Sequence, residues 1–203
     1  MAHARPVETQ HTFRVLLTAM ARPGTVQVLP LTPGEPPVLA LLSALADHEV
    51  GFSLLSDAAE HRPSLPALAQ RISDLTGCTQ CAVGEADFVV SFGPMPAFAW
   101  PLLRRGVPAF PDRGATIIYV VPGVDHLLPD LPAVRLTLRG PGIETEQCLA
   151  VSGLAASEFA ILAEVNQDFP LGVDTILTDA SGRLACVPRS STITIPTVAG
   201  KDA

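Results

Sequence analysis

The chain has 203 residues, 48% hydrophobic and 16% charged, a charged share low against the roughly 25% of an average globular protein. It is too apolar for intrinsic disorder and long enough for a single domain with a sizeable core. Thirteen basic against twenty acidic residues give a formal net charge of −7, which argues against a nucleic-acid partner, since such proteins present a basic face.

No apolar run approaches the roughly 18–20 residues of a membrane span. The first ten residues, MAHARPVETQ, hold no apolar stretch after their charges, so no signal peptide and a cytoplasmic location are expected. Twelve of the basic residues are arginines and the single lysine is Lys201. Chemistry that needs a buried lysine, such as a pyridoxal-phosphate Schiff base or a lysine P-loop, is thereby excluded from the folded body.

In chain order, the spacing of Phe13, Leu16, Leu17 and Met20 predicts a helix over 9–21, stopped by Pro23-Gly24. A short strand follows over 25–29. Val38, Leu41, Leu42 and Leu45 predict a second helix over 36–47, with Pro36 and Pro37 in its first turn. Residues 50–55 read as an apolar strand. A third helix starts near Ser64 as N-cap, carries Leu65, Leu68, Ile72 and Leu75, and ends at Gly77. Strands are expected over 87–92 and 115–121, with a helical turn over 100–105 between them. The run ATIIYVV at 115–121 suits the centre of a sheet covered on both faces.

The last third changes character. Strands are expected over 134–138 and 143–149 around Gly140-Pro141-Gly142. In the first of them Val134, Leu136 and Leu138 share one face. A helix over 155–166 precedes a hairpin of 174–178 and 183–188, and 193–195 reads as an edge strand. This succession predicts one α/β domain over 1–198, a three-layer αβα arrangement with a mixed sheet, and a polar, disordered tail at 199–203.

Candidate chemistry is sparse. Cys78 and Cys81 form a C-x-x-C, but the pair follows a helix instead of opening one, and Cys148 and Cys186 stand alone. The cysteines therefore read as small apolar residues, not as a redox or zinc site. His11, His48, His61 and His126 lack metal-ligand spacing. No serine sits in a G-x-S-x-G elbow, and Gly140-Pro141-Gly142 lacks the third glycine of a dinucleotide loop. No catalytic, metal or cofactor residue is expected.

Two segments stand out. Residues 166–174, NQDFPLGVD, make a specified bend in which Phe169 and Leu171 are core plugs or partner anchors. Pro188-Arg189-Ser190-Ser191 offers an arginine fork and two hydroxyls, which suit a phosphate or phosphonate. Arg189 could equally form a structural pair with Asp174. Arg104, Arg105 and Arg113 could join such a site, and Arg14 lies one turn from His11. Arg14, Asp174 and Arg189 are the candidate substrate-binding residues. The apolar stretch 92–98 with Trp100 is the candidate partner surface.

Four segments in order resemble the PhnH family, subunits of the bacterial carbon–phosphorus (C–P) lyase core complex. They are His11-Thr12-Phe13-Arg14 leading through Leu17, Ala19 and Met20 to Pro23-Gly24; Gly140-Pro141-Gly142-Ile143; Phe169-Pro170-Leu171-Gly172-Val173-Asp174; and Pro188-Arg189-Ser190-Ser191. The middle, 80–111, carries little of the likeness. The resemblance implies assembly with the other core-complex subunits; a subunit without those partners exposes surface meant for burial, so a homodimer in isolation is expected. It implies a role in replacing the base of a nucleoside triphosphate by an alkylphosphonate, before a radical enzyme cleaves the C–P bond. It also implies a fold like the large domain of pyridoxal-phosphate transferases without the cofactor, and assigns no catalytic residue.

Overall fold

The computed structural model describes residues 6–57 and 64–195. The expected tail at 199–203, Lys201 and His61 lie outside them. In chain order the elements are α1 (Pro6–Ala21), β1 (Gln27–Val28), α2 (Pro37–Leu45), β2 (Gly51–Leu55), α3 (Leu65–Thr76), β3 (Thr79–Gln80) and β4 (Phe88–Phe92). A 3₁₀ turn (Trp100–Leu102) leads to β5 (Arg105–Val107), β6 (Phe110–Gly114), β7 (Thr116–Val120) and β8 (Gly123–Val124). There follow β9 (Ala133–Arg139), β10 (Gln147–Ser152), α4 (Ala156–Val165), β11 (Asp174–Thr178), β12 (Arg183–Val187) and β13 (Thr192–Thr194).

The strands form a mixed seven-stranded sheet in the order β1-β12-β11-β7-β4-β2-β3, so the protein is a mixed α/β fold. Five adjacent strands run parallel, from β3 through β2, β4 and β7 to β11, while β12 runs antiparallel to both its neighbours, β11 and β1. Phe52, Phe88, Thr116 and Asp174 stand in one row across the start of the parallel strands.

The short central strands are apolar on both faces, and the alternation divides the core in two. Val90, Ile118, Ile176 and Leu184 face Leu16, Val38, Leu41 and Ile72 of α1, α2 and α3. Val89, Ile117, Leu177 and Ala185 face Phe159 and Leu162 of α4, Trp100, and the inner residues of β9 and β10. The second face is thus covered only in part by a helix. A four-stranded antiparallel sheet, β13-β9-β10-β8, covers the rest. This corrects the expected αβα layering. The chain between β7 and β11 is a hairpin plus one helix, and the alternation of Val134, Leu136 and Leu138 gives that hairpin an apolar face to lay on the main sheet.

Three local expectations also change. In α1 the buried stripe is Thr12, Leu16 and Ala19, and Phe13 and Leu17 are exposed. Residues 12, 16 and 19 repeat with the same helical spacing, and the small Thr12 and Ala19 suit the side that packs on α2 and β12. The strand expected over 143–149 begins at Gln147, because the Gly140 turn and residues up to 146 connect β9 to β10. Ser64 makes no side-chain cap, whereas Gly77 closes α3 in the left-handed conformation with φ 81°.

Glu158 opens α4 as a buried carboxylate. It accepts hydrogen bonds from the Met95 N–H at 2.8 Å and the Tyr119 hydroxyl at 2.7 Å. Burial pushes its carboxyl up, Asp57 adds to the rise, and the two bonds oppose it. A carboxyl raised in the fold holds its proton more readily there than in the unfolded chain. Its contribution is therefore most favourable below the ordinary carboxyl range and is lost as pH rises through the raised folded value. Glu158→Gln removes this titration. The melting temperature of the wild type should fall, relative to the variant, from mildly acid to neutral pH. A pH-independent difference in thermal melts would contradict this assignment.

Candidate functional site

The four distinctive segments meet at the far end of β12. Gly24 donates its N–H to the Cys186 carbonyl at 2.9 Å. Gly142, at φ 82°, lies against the Ala21 carbonyl and Pro23, so that a Cβ there would collide with the end of α1. Gly140 lies against Ser190 and Ser191 by the same test. The turn Gly140-Pro141-Gly142 is therefore a packing joint between the end of α1 and the segment after β12.

Arg189 is the centre of this joint. Its Nε and Nη2 donate to Asp174 Oδ2 at 3.1 and 2.7 Å, and its backbone N–H donates to Asp174 Oδ1 at 2.9 Å. Nη1 donates to the Pro111 carbonyl at 2.7 Å. The arginine side chain is 12% exposed and the aspartate 27%. The fork is thus occupied by a carboxylate and a carbonyl of its own chain. A Cβ on Gly114 would strike Arg189 and the Gly172 carbonyl, so a side chain there is barred.

The bend before Asp174 is held just as firmly. Asn166, buried at the end of α4, donates to the Val173 carbonyl at 3.1 Å and accepts from the Val173 N–H at 2.8 Å. Gly172, at φ 136°, rests against that amide and donates its N–H to the Arg105 carbonyl at 2.9 Å. The Phe169–Pro170 bond is cis. Of the two aromatic and aliphatic candidates, Phe169 is 61% exposed and Leu171 is half-buried.

The structure brings Asp174 and Arg189 together. Arg14 lies on the exposed face of α1 and forms no ion pair among the described residues. Arg104 is engaged by Asp87 at 2.6 Å, and Arg113 covers the Phe110 ring at 4.5 Å. Asp87 also accepts from the Gly51 N–H at 2.8 Å. Cys78 is buried and Cys81 half-buried; burial raises both thiols, so neither is poised as a thiolate. Among the described residues, no group of three His, Cys, Asp or Glu could hold a metal.

The sequence reasoning missed a cleft of about 360 Å³ lined by Gly123, His126, Asp179, Ser181 and Arg183. It also missed the β5–β6 hairpin, which no periodicity marks. The nearest signal for the cleft was the Asp179–Gly182 turn, where Asp179 Oδ1 accepts from the Ser181 N–H, the Ser181 hydroxyl and the Arg183 N–H. In the expected partner stretch 92–98 with Trp100, Met95, Pro96 and Trp100 are buried, whereas Pro94, Ala97 and Phe98 are exposed.

An arginine locked to an aspartate among glycine joints defines this end of a mixed α/β sheet. Residues 2–194 match PhnH, described as a bacterial phosphonate metabolism protein. The chain belongs to the PhnH family. A Stutzerimonas stutzeri protein named as a C-P lyase subunit, HtxG, is 34% identical over 92% of this chain and 86% of its own length. The alpha-D-ribose 1-methylphosphonate 5-triphosphate synthase subunit PhnH of Rhizobium meliloti (strain 1021) is 28% identical over 94% of this chain and 92% of its own.

Breaking the Arg189–Asp174 pair from one side leaves a largely buried charge unmatched. Arg189→Ala and Asp174→Ala should each cost ~3 kcal/mol or more. The double substitution should cost less than their sum, because the two act through one interaction. Denaturant melts of the three variants test this; small, additive losses would show a pair of no structural consequence.

Proposed function

We propose that this chain is a subunit of a C–P lyase core complex. In this reading it supports transfer of an alkylphosphonate onto the ribose of a nucleoside triphosphate with loss of the base, and it supplies no catalytic residue. The observation that carries the reading is the match to PhnH across residues 2–194, together with the names of the two relatives. The occupied fork of Arg189 supports a framework role for the segments that meet there. It speaks against the alternative in which Arg189 and Asp174 hold phosphonate or triphosphate directly.

A subunit without catalytic groups acts through its surfaces. The β5–β6 hairpin stands outside both larger sheets, and Val107 and Phe110, paired across it, are each about half exposed. Phe169 follows on the bend that bonds to the base of this hairpin. The exposed Phe13 and Leu17 of α1 make a second apolar strip. These stand beside the exposed Phe98 of the 92–98 stretch as candidate partner surfaces, and any of them could also join two copies of the chain in isolation. Kinship with the large domain of pyridoxal-phosphate transferases belongs to the same proposal, and the five parallel strands of the mixed sheet are compatible with it. Among the described residues no helix is long and apolar enough to cross a membrane, and a cytoplasmic location accompanies the proposed role.

Co-expression with the remaining core-complex subunits, with an affinity tag on this chain, tests the reading. They should copurify in fixed stoichiometry. Val107→Ser with Phe110→Ser should weaken copurification while leaving the melting temperature nearly unchanged, since both side chains are exposed. Recovery of this chain alone would overturn the assignment, and unaltered copurification of the double variant would remove the hairpin from the interface.

A further inference from the structure

The cleft that the sequence did not announce lies at the carboxyl ends of β7 and β11, the edge where open α/β sheets bind ligands. One wall is the turn after β7, with Gly123 and His126; the other is the β11–β12 turn, with Asp179, Ser181 and Arg183. We propose that this cleft binds a small phosphoryl or phosphonyl oxyanion through Arg183 and His126.

The charges decide the sign of the ligand. Asp179 is 5% exposed and its acceptors are already taken. Oδ1 receives the Ser181 N–H, the Ser181 hydroxyl and the Arg183 N–H at 2.9, 2.6 and 3.1 Å, and Oδ2 receives the Val124 N–H at 3.1 Å. It serves the fold and offers little to a cation. Arg183, in contrast, is exposed, and its guanidinium makes one long bond, 3.5 Å, to the Val124 carbonyl. No described residue bonds the exposed imidazole of His126. The cleft therefore holds a fork and a ring free to donate, and a tetrahedral oxyanion accepts from both.

The donors sit on fixed backbone. The Ser152 hydroxyl donates to the His126 carbonyl at 2.7 Å and accepts from the Leu128 N–H at 2.8 Å. Gly123 fits where a Cβ would meet that same carbonyl at 2.8 Å. Arg183 begins β12 with its N–H on Asp179. The volume lies at the low end of ligand sites, roughly 300–1,000 Å³. One guanidinium charge, with the imidazole as a further hydrogen-bond donor, suits a small oxyanion of low charge and leaves a triphosphate undercompensated. A phosphonate or phosphate group with a small substituent fits both limits.

The choice of phosphorus oxyanions over other tetrahedral anions rests on the proposed role, so sulfate is the control. The full chain is titrated with methylphosphonate, inorganic phosphate and sulfate by calorimetry. One saturable site for the phosphorus anions is expected, with weaker sulfate binding. R183Q and H126N should each weaken it by about tenfold or more, and R71Q, on distant α3, should leave it unchanged. Thermal melts verify folding; if R183Q does not fold, H126N decides. No saturable binding, binding indifferent to both substitutions, equal loss in R71Q, or equal affinity for sulfate would overturn the proposal. Copurification reads the subunit role separately: a chain that copurifies but binds no anion refutes this site alone, and one that binds without copurifying refutes the subunit role alone.

Discussion

Between the guanidinium of Arg189 and the carboxylate of Asp174 runs the interaction on which the distal architecture depends. It joins the first residue of β11 to the residue two beyond the end of β12, and through Pro111 it reaches the β5–β6 hairpin. A charged pair this close to burial gains little net energy over an apolar replacement of the same shape. Its directionality is what matters. Three donors of Arg189 on two oxygens of Asp174 fix the position of the chain after β12. That segment in turn supplies the surface against which Gly140 packs and the start of β13. Glycine is needed at Gly114 and Gly172 because the Arg189 guanidinium and Gly172 carbonyl at the first, and the Asn166 amide at the second, leave no room for a Cβ.

The second constraint is that both faces of the main sheet must be covered by a short chain. Helices α1, α2 and α3 cover one face, built from residues before β4. The other face falls to the chain after β4, which contributes one four-turn-or-shorter helix, the buried Trp100 and a hairpin. Lining that hairpin with Leu136, Leu138, Leu149 and Val151 turns an antiparallel pair into a lid on the core. Removing apolar area from water stabilises at about 25 cal/mol per Å² whichever element supplies it, so a sheet serves as well as a helix. Glu158 shows the cost at the join. A helix N-terminus and two donors hold its carboxylate where burial opposes the charge.

What was legible followed periodicity. The run ATIIYVV, the alternation at Val134, Leu136 and Leu138, and the Asp174–Thr178 strand were readable because each satisfies a burial pattern that few other arrangements share. The facing of α1 was not, because Thr12 and Ala19 carry no apolar signal and Phe13 and Leu17 carry a false one. The β5–β6 hairpin stayed hidden since its residues are mostly exposed and its neighbours are tertiary. For the site, the Arg189–Asp174 pairing was one of two readings that composition left open, and only geometry shows that the fork is occupied. The cleft was illegible for a different reason: His126 and Arg183 lie 57 positions apart with no motif between them, and meet only because β7 and β11 are parallel neighbours.

The two edges of the parallel sheet have separate duties. At the amino edge, Asp87 stands before β4 and Asp174 opens β11, each paired to an arginine from elsewhere in the chain. Asp87 also takes the N–H of Gly51 at the start of β2. These carboxylates and arginines satisfy one another, so the edge is a frame. At the carboxyl edge the balance is reversed: Asp179 is satisfied by its own turn, and Arg183 is left with a single long bond. Barrels and open sheets of parallel strands divide stability from function between the same two edges, because the loops after the strands can vary without disturbing the register. The segments that carry the family resemblance therefore mark the joint that makes the fold, and the cleft proposed for a small anion lies at the opposite edge.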